Sequence, residues 1–89
     1  MSIDDYFIDN LPTLDLHGEI RQSARVLVKE FINDNYVLEN KKIVIIHGVG
    51  TGALRKEVND ILKKDERVES FKVIGYNPGC TLVYLKKNC

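Results

Sequence analysis

Two histidines in this chain each follow an apolar stretch and precede a glycine. His17 follows Leu14-Asp15-Leu16, and His47 follows the β-branched residues 43–46. Because imidazole titrates near neutral pH, one histidine can accept a proton while another donates one. Asp15 lies two residues before His17, which puts both side chains on one face of an extended segment. Asp15, His17 and His47 are therefore candidates for acid–base chemistry.

The segment after His47 is rich in glycine and predicts a phosphate site. Gly48, Gly50 and Gly52 stand at alternate positions before a helical pattern. Glycine lets backbone N–H groups approach an anion, and a helix N-terminus adds a partial positive charge. The spacing matches neither a Walker loop nor a dinucleotide-binding fingerprint. Arg55 in the first helical turn opposes the helix dipole, and a bound anion would offset that cost.

A purely structural interpretation stays open for each of these residues. The glycines can serve turn geometry alone, and Thr51 can cap the helix instead of donating to a phosphate. Asp15 and the two histidines could nominally bind a metal ion, but no HxH or HxxxH spacing supports metal ligation. Arg21, Arg25 and Lys29 form a basic line on the first helix, which is either a track for phosphates or a solvated face.

The spacing of apolar residues predicts the order β-α-β-α-β-β. The predicted strands are 14–17, 42–46, 68–74 and 81–85, and the predicted helices are 20–35 and 53–64, with a turn at 75–79. This order indicates a two-layer α/β sandwich with a mixed four-stranded sheet, parallel where helices intervene and closed by a hairpin. Right-handed crossovers bring the carboxyl ends of parallel strands to one edge, where open α/β sheets bind ligands. Both histidines are expected at that edge.

Size and composition indicate one globular domain. The 89 residues divide into an N-terminal arm, 1–11, and a domain, 12–89. The net charge is zero, but three aspartates lie in the arm, so residues 11–89 hold 13 basic and 10 acidic groups. A weak positive bias of this kind permits a phosphate-backbone ligand without requiring one. Cys80 and Cys89 form neither a disulfide framework nor a zinc motif. With no signal-peptide or membrane-span pattern, the cytoplasm is the expected location.

Three motifs resemble those of the small MutS-related (Smr) domain family. They are LDLHG at 14–18, followed by a helix with Ala24 in its second turn, HGVGTGALR at 47–55, and GCTLVYL at 79–85, which is similar to the family's G-x-T-x-V-x-L strand. The resemblance covers nearly the whole chain, residues 12–86. It implies an α/β domain similar to the C-terminal domain of bacterial translation initiation factor three.

The resemblance also implies nucleic-acid binding and, in many members, endonuclease activity. Members nick DNA or cleave messenger RNA at stalled or collided ribosomes. The family's DxH element, HGxGxG element and helical arginine fall on Asp15, His17, His47, Gly48, Gly50, Gly52 and Arg55. Two positions depart from the family. Val49 stands where many members have Lys or Arg, and Asn77-Pro78-Gly79 replaces a glycine-rich turn.

The resulting hypothesis is an Smr-type endonuclease that acts on RNA or DNA. Asp15 would orient a histidine, His17 and His47 would share acid–base work, and the glycine amides with Arg55 would hold the phosphate. RNA cleavage through the 2′-hydroxyl needs no metal, whereas DNA hydrolysis would recruit water with the help of a divalent metal such as Mg²⁺.

Two other classes of function compete with the enzyme hypothesis. One is a non-catalytic nucleic-acid or ribosome adaptor that uses the same edge of the sheet. The other is a protein–protein scaffold in which both motifs serve turn geometry alone. Because the chain has few basic residues, a partner or a homo-oligomer is expected in both nucleic-acid hypotheses.

Overall fold

The computed structural model describes residues 11–49, 52–74 and 77–87. The strands are β1 (Thr13–Asp15), β2 (Lys42–Ile46), β3 (Val68–Ile74) and β4 (Asn77–Leu85), and the helices are α1 (Arg21–Val37) and α2 (Ala53–Lys64). The order along the chain is β1-α1-β2-α2-β3-β4, as the apolar spacing predicts. Residues 1–10 of the predicted arm, and Cys89, lie outside the described residues.

The four strands form one mixed sheet in the order β1-β2-β4-β3. β1 is parallel to β2, with Asp15 opposite Ile46. β4 is antiparallel to both β2 and β3, so β2 and β3 run in the same direction with β4 between them. The predicted mixed four-stranded α/β sheet is confirmed.

Both helices pack on the same face of the sheet. α1 buries Ala24, Val28 and Ile32 at four-residue spacing, and α2 buries Val58, Ile61 and Leu62. These side chains form one cluster with Ile43, Ile45 and Val83 of the central strands. Burying such an aliphatic side chain contributes about 1.5–3 kcal/mol, so this cluster is the main stabilising core. Within the described ranges, neither helix is long and apolar enough to cross a membrane.

The opposite face of the sheet carries a second apolar cluster. Val44 and Leu82 lie in it, with Leu11, Ile46 and Tyr84 packed against them. Neighbouring residues of a strand point to opposite faces, so β2 contributes to both clusters. This explains why residues 43–45 are all buried, as the run of β-branched residues predicts.

Two element boundaries differ from the prediction at the start of the chain. β1 ends at Asp15, and His17 lies in the following turn instead of in the strand. α1 begins at Arg21 and continues to Val37, two residues beyond the predicted end. Asn35, at the predicted end of the helix, is buried, and its side chain donates to the Phe31 carbonyl at 2.8 Å, so the helix accommodates it.

The last strand is longer than the predicted one. β4 begins at Asn77 instead of residue 81, which removes 77–79 from the predicted turn. The cause is pairing on both sides. Ile74 of β3 is opposite Asn77, and the Gly79 carbonyl accepts the N–H groups of His47 and Gly48.

Candidate functional site

The two His-Gly turns leave the sheet side by side. The N–H of Leu16 donates to the Ile46 carbonyl at 2.7 Å, which continues the β1–β2 pairing one residue past β1. The chain then turns at Gly18, which has a φ of 84°, and at Gly48, which has a φ of 77°. Only glycine adopts such values without strain, so these turns need glycine.

A cavity of about 330 Å³ opens at this edge of the sheet. It is lined by His17, Gly18, His47, Gly48, Val49, Gly52, Ala53, Leu54 and Arg55. The structure therefore brings together both histidines, two of the motif glycines and Arg55, although these residues come from separate segments. Gly50 and Thr51 lie outside the described residues.

Asp15 is not among the residues that line the cavity. Its carboxylate Oδ1 accepts the backbone N–H of His17 at 2.9 Å, which stabilises the turn that carries the imidazole. No hydrogen bond within the described ranges joins Asp15 to either imidazole. β1 ends at Asp15, so the period-two alternation behind the expected shared face does not extend into the turn at His17.

The Asp15 carboxylate instead acts electrostatically on Cys80. Burial raises the pKa of the Cys80 thiol, and the negative charge of Asp15 raises it further. The strand register explains this proximity, since Asp15 and Cys80 are both opposite Ile46, from the two sides of β2.

His47 is buried, with only 4% of its surface exposed, and both ring nitrogens have partners. Nδ1 lies 2.9 Å from the Gly48 carbonyl oxygen, and Nε2 lies 2.8 Å from Oγ1 of Thr81. A carbonyl can only accept, so Nδ1 carries a proton and donates it to Gly48. In the neutral ring, the Thr81 hydroxyl then donates to Nε2. The sequence-based site did not include Thr81, although it is the threonine of the G-x-T-x-V-x-L motif.

The N-terminus of α2 adds positive charge beside the cavity. Gly52 is the N-cap residue, with a φ of 83°, and has no side chain to bond the first helical amides. The helix also has no acidic residue in its first turn, where a carboxylate would offset the partial positive charge of the helix end. Arg55 Nη2 lies 3.8 Å from the position that a Cβ at Gly52 would occupy, so the guanidinium group folds back over the helix end.

Two arginines of the basic line on α1, Arg21 and Arg25, have different surroundings. Arg21 and Arg25 line a groove that shares Ala53 and Leu54 with the cavity. Arg25 Nη1, however, forms an ion pair with Glu57 at 3.0 Å. The ion pair partly neutralises the charge of Arg25, whereas Arg21 is exposed beside the groove. Val49 is 65% exposed at the cavity rim and supplies no charge there.

Within residues 11–49, 52–74 and 77–87, no group of three or more His, Cys, Asp or Glu side chains is placed so that it could hold a metal ion.

The fold and cavity define an open α/β domain with two His-Gly turns and a helix N-terminus at the carboxyl ends of its parallel strands. The chain belongs to the Smr domain family, whose sequence model matches residues 14–86.

Similar proteins include the endonuclease MutS2 of Finegoldia magna, 40% identical over 76 residues, which are 82% of this chain and 10% of that protein. MutS2 of Clostridium perfringens is 37% identical over 78 residues, again 10% of its length. The chain thus spans about a tenth of the length of these relatives.

Two solved structures are similar to this one. The crystal structure of the Smr domain of Thermus thermophilus MutS2 matches with a TM-score of 0.83 and 32% identity, over 85% of this chain and 99% of that domain. YdaL, a stand-alone small MutS-related protein from Escherichia coli, matches with a TM-score of 0.80 over 97% of this chain and 79% of YdaL. At 20% identity, the likeness to YdaL shows the fold alone.

Proposed function

We propose that this domain is an Smr-type endonuclease that holds a backbone phosphate of RNA or DNA in the cavity beside His17 and His47. The observation that carries this proposal is the convergence of two histidines, Arg55 and the α2 N-terminus on one cavity. The relatives named as endonucleases support the same class of activity.

The charge around the cavity favours an anion. Its described lining includes Arg55 and two histidines but no carboxylate. A second cavity, between the helices, is lined by acidic and basic side chains in equal number, among them Glu57, Asp60, Lys29 and Lys64. A phosphate would meet repulsion there, whereas in the first cavity it meets a guanidinium group and a helix N-terminus.

The residues at the cavity suit phosphodiester cleavage. In RNA, an imidazole takes the proton of the 2′-hydroxyl, and O2′ attacks phosphorus while the bond to the 5′-oxygen breaks. The leaving oxygen takes up a proton, which leaves a cyclic phosphate and a free 5′-hydroxyl. Arg55 stabilises the added negative charge on the phosphoryl oxygens. With DNA, water replaces the 2′-hydroxyl as nucleophile, and a divalent metal such as Mg²⁺ would assist.

One observation favours a second candidate, a non-catalytic nucleic-acid or ribosome adaptor. Val49 stands at the exposed rim where many family members carry a basic residue, which removes one phosphate contact. An adaptor would bind through the same cavity and leave the phosphodiester bond intact.

Cleavage assays on the purified full chain test the proposal. The substrates are labelled structured RNA, supercoiled DNA and messenger RNA on stalled ribosomes, each with Mg²⁺ and with chelator. Arg55→Ala is compared with Lys63→Ala, which removes the same charge from the exposed C-terminal turn of α2. A charge-assisted hydrogen bond contributes about 1.5–3 kcal/mol, so Arg55→Ala should weaken binding or cleavage about 10- to 150-fold while the control stays near wild type.

Two outcomes would contradict the proposal. If both variants behave alike, Arg55 does not hold the phosphate in the cavity. If the wild-type protein binds every substrate and cleaves none of them, the adaptor replaces the enzyme.

A further inference from the structure

The two histidines at the cavity differ in burial and in how many of their ring nitrogens have hydrogen-bond partners. His47 is almost completely buried, and both of its nitrogens are engaged, by the Gly48 carbonyl and the Thr81 hydroxyl. To take a proton from a substrate, Nε2 would have to release Thr81. Thr81 is fully buried, and the described residues supply no second partner for its hydroxyl, so the release would leave a polar group unpaired.

His17 has the opposite environment. It is exposed in the turn after β1 and lines the same cavity. Its backbone N–H is held by Asp15, but no hydrogen bond within the described ranges engages its imidazole. The ring nitrogens of His17 are therefore accessible from the cavity, and those of His47 are not.

The contacts of His47 control the geometry of the turn at Gly48. Its Nδ1–H holds the Gly48 carbonyl, while the Gly48 N–H donates to the Gly79 carbonyl at 3.0 Å. The peptide bond after Gly48 is trans, so its N–H points away from its carbonyl. The imidazole therefore also sets the direction of the Val49 N–H, which belongs to a residue that lines the cavity.

We infer that Thr81 and His47 are a buried pair of positioning residues that orient the Gly48–Val49 peptide for a phosphate, while the exposed His17 exchanges the proton with the substrate. The inference rests on the proposed nuclease function and divides the work of the two histidines. It also explains a buried threonine between Cys80 and Leu82, two apolar residues of β4. Thr81 is fully buried on β4, and its hydroxyl is matched by the His47 ring.

Conservative variants separate the two roles. The asparagine of a His47→Asn protein keeps an N–H donor near the position of Nδ1 but cannot titrate near neutral pH. Because asparagine loses the hydrogen bond with Thr81 that fixes the ring, we expect His47→Asn to raise KM about tenfold and to keep the shape of the pH–kcat profile. His17→Asn should lower kcat by at least about 100-fold, the usual contribution of a general acid or base, and remove the limb of the profile near neutral pH. Equal losses of kcat in the two variants would overturn the assignment.

The pH profile must be interpreted with the other charged groups near His17. These are Asp15 on β1, Glu19 in the same turn, Arg55 on α2 and His47 after β2. Imidazole is the one side chain whose ordinary titration falls between about pH 5 and 8, so a limb of the profile in that range belongs to a histidine. The two asparagine variants then decide which imidazole it is.

Thr81 is tested with a matched pair. Thr81→Val removes the hydroxyl at nearly constant volume, and Thr81→Ser keeps it. We expect the valine variant to raise KM severalfold, with an unchanged pH profile, and the serine variant to stay near wild type. If both variants retain the wild-type KM, the hydroxyl does not position His47.

A measurement without catalysis separates this inference from the proposed function. Nitrogen-15 NMR of the imidazoles should show the Nδ1–H tautomer for His47 in the wild type. In Thr81→Val, the Nε2 resonance of His47 should lose the shielding that the hydrogen bond from the threonine hydroxyl gives it. If the wild-type chain cleaves nothing but His47 shows this tautomer, the nuclease fails and the positioning pair stands. A freely exchanging His47 ring would overturn the pair even in an active enzyme.

Discussion

Glu39, which follows the C-cap residue of α1, has a backbone conformation that favours glycine. Its φ is 64°, and it is the only described non-glycine residue with a positive φ. The N–H of Asn40 donates to the Asn35 carbonyl at 2.9 Å, and that of Glu39 donates to the Tyr36 carbonyl at 3.1 Å. These two bonds are those of a Schellman motif, in which the position of Glu39 is usually glycine.

Replacement of Glu39 by glycine should therefore stabilise the domain. A left-handed conformation costs an L-residue roughly 1–2 kcal/mol. The greater freedom of glycine in the unfolded chain offsets about 0.4–1 kcal/mol of that gain. The net increase in the free energy of unfolding is about 1 kcal/mol, which raises Tm by about 4–8 °C in a domain of this size.

Glu39→Ala is the matched control for the charge. Glu39 is exposed near Lys41, Lys86 and Lys87, so its removal also changes the local electrostatics. Alanine removes the same charge but keeps the left-handed strain. Urea unfolding of the three proteins, followed by circular dichroism, gives the difference between glycine and alanine. If Glu39→Gly is no more stable than Glu39→Ala, the left-handed conformation of Glu39 carries no strain.

The remaining predictions concern the Asp65–Arg67 pair and Cys80. Arg67 bonds both carboxylate oxygens of the mostly buried Asp65 at 2.7–2.9 Å, so Arg67→Ala should lower the free energy of unfolding by about 1–3 kcal/mol at pH 7, measured against Lys63→Ala. The hydrogen bond from Arg67 lowers the pKa of Asp65 below its usual value of 3.8, so the pair stabilises the fold above that pH. The difference in stability between wild type and Arg67→Ala should then shrink as the pH falls below about 4, and a constant difference would contradict this linkage. Burial raises the pKa of Cys80, so in a Cys89→Ser background a thiol reagent at pH 8 should modify it at least about tenfold more slowly in the folded protein than in urea. Equal rates would show that Cys80 is accessible.

Several elements could be predicted from local patterns because those patterns agree with the tertiary environment. The β-branched run placed β2 at 42–46, and the apolar spacing placed α2 at 53–64 and β3 at 68–74, as the structure has them. In each case the pattern that favours the strand or helix lies within the element itself. The start of β4 could not be predicted in this way, since Asn77 and Pro78 are turn-forming residues in isolation, and they extend the strand because Asn77 is opposite Ile74 of β3.

In the site, too, some features could be predicted from the sequence and others could not. The His-Gly spacing and the right-handed crossover rule predict that His17 and His47 lie at one edge, and one cavity contains both. The orientation of the Asp15 side chain depends on where β1 ends. The alternation of residues along so short a strand does not predict that end. The Asp15 carboxylate consequently bonds a backbone N–H instead of an imidazole.

Residue types and spacing were sufficient to predict the two histidine turns, the glycine segment and the helix that follows it, because each depends on neighbours close in the chain. The partner of His47 depends on a contact across 34 positions of sequence. Thr81 reaches the imidazole because β4 inserts between β2 and β3 and places Gly79 beside the end of β2. Packing of the sheet thus buries His47 and leaves His17 exposed at the cavity. The two His-Gly motifs are nearly identical in sequence, so the sequence alone does not predict this difference.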